Sequence, residues 1–355
     1  MIVDVDVEEQ GTGSFTFGAS YGLDAGVAVM ASFSERNFLG RGQFIKLEFT
    51  GGVDDRNYAF SFAEPRVLGR DLRLGVDMFY RETTWQDNLF DSVQGKAELN
   101  AAFPLSELGR FGAQVGIEGT EMDYYRTDTN GDGEITPADD ATVVGGVLDA
   151  EIARGRQIGG YAGLNYSFST ARNGLDNPWN FYGEFAGKVG GLGADSQFIK
   201  GTALMRVSTT VLNEIQLSAT LEGGAIHTVN GAGTRITDRF MMAPDKLLGF
   251  AGAGIGPRDL ASPQEEALGG NFFGSARLET RFPIGLPEEY GITGGAFVHA
   301  GSVWGLDAPG AVDDDLRLRA SAGAALYWET PIGPVKFSYA VPFKSEAYDK
   351  ERRWG

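Results

Sequence analysis

The feature that most limits this chain is a two-residue alternation of apolar with small or polar side chains, repeated in segment after segment with scarcely any helical periodicity. Phe15, Phe17 and Ala19 alternate with Ser14, Thr16 and Gly18, and Val27, Val29, Ala31 and Phe33 resume the pattern after the turn at 22–26. Successive side chains of a strand point to opposite faces, so each such segment reads as a strand with one apolar face. The same reading covers 43–51, 58–63, 72–81, 92–103, 111–123, 155–170, 181–190, 198–210, 214–225, 269–282, 291–303, 316–328 and 335–341. That makes about fifteen strands, most long enough to cross a bilayer when tilted.

The connections alternate in length. Gly40, Pro65, Pro104, Pro283 and Pro331-Ile332-Gly333-Pro334 mark short turns, whereas 82–91, 124–154, 191–197, 227–268 and 305–315 are longer. Short turns on one side and long loops on the other predict an all-β, transmembrane antiparallel barrel. A soluble β-sandwich is the structural alternative. It leaves unexplained the aromatic residues bunched near strand ends (Phe79, Tyr80, Trp85; Trp179, Phe181, Tyr182; Tyr327, Trp328), which fit interfacial girdles.

Composition agrees with a barrel. No stretch of about 18 apolar residues exists for a membrane helix, and a barrel needs none because only alternate residues meet lipid. The formal net charge of -18 argues against nucleic acid as a partner. Cysteine is absent and only His227 and His299 represent histidine, so no thiol chemistry, histidine metal cluster or triad is expected. Gly252-Ala253-Gly254-Ile255-Gly256 lacks the βαβ surroundings of a phosphate loop. The chain is read as a non-enzyme.

One stretch is too long and too glycine-rich for a turn: Asp238-Arg239-Phe240, Leu247-Leu248-Gly249-Phe250 and Gly254-Ile255-Gly256-Pro257-Arg258-Asp259. Its apolar residues require burial, and the inside of the barrel is the expected host.

Several motifs together resemble the Omp85 superfamily of outer-membrane assembly factors. They are Ser34-Glu35-Arg36-Asn37-Phe38-Leu39-Gly40-Arg41-Gly42, Glu64-Pro65-Arg66, the loop at 238–259, Trp328-Glu329-Thr330-Pro331-Ile332-Gly333-Pro334 and Pro342-Phe343-Lys344. The resemblance covers only the barrel half of that family. It makes 1–10 the remnant of a preceding periplasmic POTRA domain or linker, 11–355 the barrel, and 226–268 its sixth loop.

The resemblance implies a sixteen-strand barrel in a Gram-negative outer membrane, acting as an insertase through a seam between its first and last strands. The first strand, with Phe15, Phe17 and Tyr21, would receive the client. Outer-membrane lipids, unfolded β-barrel clients and accessory lipoproteins, the last mainly through POTRA domains, would be the partners. A passive porin, a secretion transporter of the superfamily and a TamA-like relative are the alternatives. No cofactor is required.

The chain departs from the family in two places. The family's loop tip is Arg-Gly-Phe/Tyr, with the Arg paired to carboxylates on strands twelve and thirteen; here Leu248 precedes Gly249-Phe250, and His299 in Phe297-Val298-His299-Ala300-Gly301 replaces the strand-thirteen Asp. Glu279 keeps the other acidic position. The resemblance thus marks Phe240, Leu247, Leu248, Gly249, Phe250, Gly256, Pro257, Arg258 and Asp259 as the loop motif, and Glu279, His299 and Gly301 as its wall partners. Two readings of His299 stand open: it contacts Glu279, or it faces the wet lumen. The second departure is the end of the chain, where 345–353 reads as a loop and a sixteenth strand does not fit.

Finally, Asp128, Asn130, Asp132, Glu134, Thr136 and Asp139 have the spacing of an EF-hand calcium loop, with Gly133 at the sharp turn. Asp139 replaces the usual bidentate Glu and the flanks read as loop, so a weak calcium site at 128–139 is expected.

Overall fold

The computed structural model describes residues 11–22, 26–52, 55–85, 90–124, 146–171, 178–212, 214–259, 265–307, 313–330 and 333–355. The candidate calcium loop, the segment 1–10 and Pro331-Ile332 lie outside the described residues.

Fifteen strands form one antiparallel sheet in which each pairs with its neighbour in sequence. They are β1 (Gly13–Gly22), β2 (Gly26–Phe38), β3 (Gln43–Gly52), β4 (Asp55–Glu64), β5 (Arg73–Trp85), β6 (Phe90–Pro104), β7 (Gly109–Tyr124) and β8 (Gln157–Ser169). Then follow β9 (Trp179–Leu192), β10 (Phe198–Val211), β11 (Ile215–Thr228), β12 (Phe272–Pro283), β13 (Ile292–Trp304), β14 (Arg319–Thr330) and β15 (Gly333–Lys344). Each strand thus runs antiparallel to the one before it, the up-and-down order expected of a barrel with alternating short turns and long loops.

The two faces of the sheet differ as a barrel in lipid requires. Phe15, Phe17, Leu47, Met78, Leu99, Ile117, Leu164, Leu221, Leu278, Val298 and Phe337 are all exposed on the outer face. The inner face is polar and internally bonded. Tyr161 Oη donates to Glu98 Oε2 at 2.5 Å, Lys96 lies 2.7 Å from the same carboxylate, and Lys188 bridges to Glu118 at 2.5 Å. Such pairing satisfies groups that the surrounding wall shields from water.

The register corrects the aromatic-girdle reading. Tyr80, Trp179, Phe181 and Trp328 are exposed, consistent with an interfacial belt. Phe79 instead pairs across from Lys96, Tyr182 from Arg206, and Tyr327 from Lys336, on the other face of the sheet. Residues adjacent on a strand cannot both face lipid, whatever their chemistry.

Two elements were not legible as such. In the stretch read as loop at 124–154, Gly146–Ala153 forms the helix α1, and Gly155 just beyond it has φ +66. In the stretch read as loop at 345–353, Glu351–Arg352 makes a short antiparallel ladder with Gly249–Phe250. Beyond it, Arg353 O accepts from Ala340 N at 2.7 Å, and Ser338 and Gly355 exchange both backbone bonds at 2.7 and 3.0 Å. The tail therefore lies along β15, where a sixteenth strand would begin. Among the described residues, no ladder joins β1 to β15.

Candidate functional site

The sixth loop, between β11 and β12, folds back against the inner wall. Met242, Leu247, Phe250 and Ile255 from the loop and Phe273 and Val303 from β12 and β13 form one buried apolar cluster. Each large side chain so buried contributes about 1.5–3 kcal/mol, which offsets the ordering of the loop backbone. Phe240 packs against Phe273 in a tilted pair with centroids 4.6 Å apart, and the Lys200 ammonium sits 4.4 Å from the Phe240 ring centroid. Gly301 leaves room for this packing, since a Cβ there would meet Met242 Cε at 3.0 Å.

The loop tip shows how the missing arginine is replaced. Leu248 is held by its backbone rather than by a charge. Its N–H donates to His299 Nδ1 at 3.3 Å, and its carbonyl accepts a bond from the Ser321 hydroxyl. His299 and Ser321 are direct partners across β13 and β14, so two adjacent wall residues hold the N–H and the carbonyl of one loop residue. The Leu248 side chain packs on the cluster of Phe297, Ala325 and Ala340. An apolar seat here suits leucine and would leave a guanidinium without solvation.

His299 is fully buried, so the wet-lumen reading does not describe it. Because Nδ1 accepts from Leu248, the ring proton belongs on Nε2, which lies 3.3 Å from Glu279 Oε1. Nε2 makes no well-formed hydrogen bond, so the approach is off axis and chiefly electrostatic. Glu279 faces Phe297 directly and is the diagonal neighbour of His299.

Gly249, next along the tip, has φ +99, and a Cβ there would lie 3.2 Å from Ser321 Cβ and 3.3 Å from Ala340 Cβ. Both backbone shape and space require glycine. Gly256 repeats this, with φ +108 and Val303 Cβ at 3.0 Å from where its own Cβ would be. Pro257 O accepts from Leu268 N at 2.9 Å. Arg258 is buried and donates to the carbonyls of Glu265 and Ala253 at 2.8 and 2.9 Å, clamping the loop to itself rather than to the wall.

The base of the loop carries a charged network that the sequence reading missed. Glu151 of α1 is buried beside two loop arginines, with Arg239 Nη2 at 3.2 Å and Arg235 Nε at 3.8 Å. Arg235 also donates to the carbonyls of Glu151 and Gly155, and Arg239 to those of Thr234 and Leu268. Asp259 accepts from the Val147 N–H in the first turn of α1 at 3.2 Å, a favourable place for a carboxylate. Around these charges Phe90, Met122, Leu148, Ile236 and Leu268 close an apolar cap. The clue in the sequence was the four-residue spacing of Arg235 and Arg239, which needed an acidic partner.

Further along, burial pushes the Asp238 carboxyl up to about 6 against the opposing pull of Lys200. The tail is anchored separately. The Arg319 guanidinium takes both oxygens of the buried Asp349 carboxylate at 2.9 Å.

On the first strand, Phe15 and Phe17 face outward and are exposed, and Tyr21 pairs in register with Val27 at the far end. The edge of β1 away from β2 has no partner strand among the described residues. The structure thus brings the loop motif, Glu279, His299 and Gly301 together, and holds the first strand apart from them in the sheet order.

A polar-lined sheet with an apolar outer face and a loop seated against its inner wall defines a transmembrane β-barrel of the outer-membrane class. The sequence model of the Omp85 superfamily domain matches residues 37–355, and the chain belongs to that superfamily. It is similar to the outer membrane protein assembly factor BamA of Neorickettsia risticii, at 27% identity over 99% of this chain and 45% of that protein. The chain thus spans less than half the length of this relative. Among solved structures, BamA from Haemophilus ducreyi lacking POTRA domains 1–3 shares the fold, with a TM-score of 0.79, 22% identity, and coverage of 98% of this chain and 70% of that one. CdiB from Escherichia coli is more distant, with a TM-score of 0.61, 14% identity, and coverage of 98% and 62%.

Proposed function

We propose that this chain is the barrel of an insertase that folds β-barrel proteins into a Gram-negative outer membrane. The observation that carries the reading is the edge of β1 away from β2, which has no partner strand among the described residues. An open strand edge is a template for another strand, and the main-chain bonds of β-augmentation supply affinity without sequence specificity. The partners are outer-membrane lipids, unfolded barrel clients and accessory lipoproteins that act mainly through periplasmic POTRA domains. The work is done by strand pairing alone, with no bond chemistry and no required cofactor. The loop seated against the wall favours this reading over a passive porin, and the similarity to an assembly factor over nearly the whole chain favours it over a secretion transporter.

The test is genetic. The chain joined to POTRA domains is expressed in cells depleted of their assembly factor. Restored outer-membrane protein assembly supports the reading. Failure with a barrel shown to be folded, together with large stable conductance in planar bilayers, supports a pore instead. We further propose that the loop at 128–139 binds calcium weakly as an accessory site.

A further inference from the structure

The tripeptide Leu-Gly-Arg occurs three times, at 39–41, 68–70 and 108–110, the first two within turns at the short-turn end of the barrel and the third where such a turn enters β7. In the first two, the leucine is held in left-handed backbone, Leu39 and Leu68 both at φ 55. Leucine resists this conformation, and glycine or asparagine would adopt it more readily. Both side chains nevertheless point away from the protein, Leu39 at 75% and Leu68 at 93% exposure. Leu212, in another short turn, repeats the pattern with φ 52 and 83% exposure. Three of the five non-glycine residues with positive φ among the described residues are therefore exposed leucines at turn tips on one side of the barrel. Strained backbone that spends its strain on exposing an apolar side chain points to something that receives it.

Charge identifies the receiver. Arg36, Arg41, Arg66, Arg70 and Arg73 are all exposed on the first two of these turns and their strand ends, in a chain whose net charge is -18. Arg41, Arg66 and Arg70 have no carboxylate partner among the described residues. Exposed Asp71 and Glu107 lie in the same sector, Asp71 3.5 Å from Arg110, but the arginines outnumber them, whereas the short turns further round the wall carry exposed Glu214, Glu288 and Glu289. The basic, leucine-tipped sector is continuous with the lipid-facing wall through exposed Leu74, Leu99 and Phe103. Apolar tips beside guanidinium groups, at the rim of a lipid-facing wall, match the headgroup boundary of a phospholipid leaflet.

We propose that the Leu-Gly-Arg turns form a lipid-docking rim on the first-strand side of the barrel. Leu39 and Leu68 enter the acyl boundary, and Arg41 and Arg70 bind the phosphates of anionic phospholipids. The rim would fix the height of the barrel beside the β1 edge. This proposal needs the barrel to sit in lipid but does not depend on insertase activity, so failed genetic rescue leaves it standing.

Because the chain has no cysteine, Leu39→Cys or Leu68→Cys gives a unique thiol for an environment-sensitive fluorophore. Labelled barrels are placed in nanodiscs of phosphatidylcholine, with or without phosphatidylglycerol, carrying a lipid spin-labelled near the headgroup. Leu47→Cys on the outer wall reports folding. The expected result is blue-shifted emission and loss of intensity at positions 39 and 68, deeper with phosphatidylglycerol. Arg41→Gln with Arg70→Gln should abolish that extra quenching and leave Leu47→Cys unchanged. Water-like, unquenched emission at 39 and 68, with 47 quenched, overturns the proposal and marks the rim as a protein-docking or free surface. Quenching indifferent to the arginines overturns the phosphate assignment.

Discussion

The backbone N–H of Leu248 donates to Nδ1 of His299, and this bond occupies the place where the superfamily resemblance calls for an arginine–carboxylate pair. A neutral acceptor replaces a charge, and the loop tip is held by its main chain. Substituting His299→Ala strands a buried N–H, at about 1–3 kcal/mol. Hydrogen exchange at 247–250 should accelerate accordingly, while exchange at the base of the loop changes little.

The same geometry predicts strong coupling in a double-mutant cycle. Leu248→Arg alone sets a guanidinium against Phe297, Ala325 and Ala340, and His299→Asp alone sets a second carboxylate beside Glu279. Both singles should destabilise. The double variant should recover by about 1–3 kcal/mol relative to their sum in chemical unfolding, because contacting residues do not add.

Gly249→Ala should destabilise the tip by about 1–3 kcal/mol, since it adds an unfavourable backbone conformation to a crowded Cβ. Leu247→Ala should cost roughly 2–5 kcal/mol by opening a cavity in the buried cluster. Thermal unfolding in detergent measures both.

Glu151→Gln removes the carboxylate shared by Arg235 and Arg239. Breaking a buried pair of this kind costs about 3–5 kcal/mol. The expected outcome is protease sensitivity at α1 and at 234–240, with the strands remaining protected.

Asp238 supplies the pH dependence. Its carboxyl is raised to about 6, so the seated loop binds its proton more tightly than the free loop does. This contribution favours seating below the ordinary carboxylate range and is lost as pH rises through about 6. Wild type minus Asp238→Asn, followed by exchange of the loop across that range, should show the loss.

The strands were legible because a barrel wall imposes period two on almost every segment, as the exposed Phe15 and Phe17 on β1 and the exposed cross-strand pair Leu278 and Val298 show. The lumen loop was legible from its own apolar residues, which had nowhere else to go. What escaped the sequence was tertiary. Ser321 is one more small polar wall residue until Leu248 lies against it. Glu151 is one acid among many until α1 turns it toward Arg239. Phe79, Tyr182 and Tyr327 leave the aromatic girdle because the parity of their strands, which clustering near strand ends does not carry, turns them to the other face.

Calorimetric titration of calcium should give weak binding with a dissociation constant on the order of 0.1–1 mM, typical of extracellular sites. Asp132→Ala should abolish it, and absence of heat from the wild type would remove the site.

The most direct measurement is register-resolved crosslinking in cells. Single cysteines along β1 and along β8, in the chain joined to POTRA domains, are paired with cysteines in the terminal strand of a stalled client. The account expects disulfides at β1 that follow a two-residue period, and none at β8, whose edges are both taken. Equal or absent crosslinking at the two strands, while the client still assembles, would contradict it.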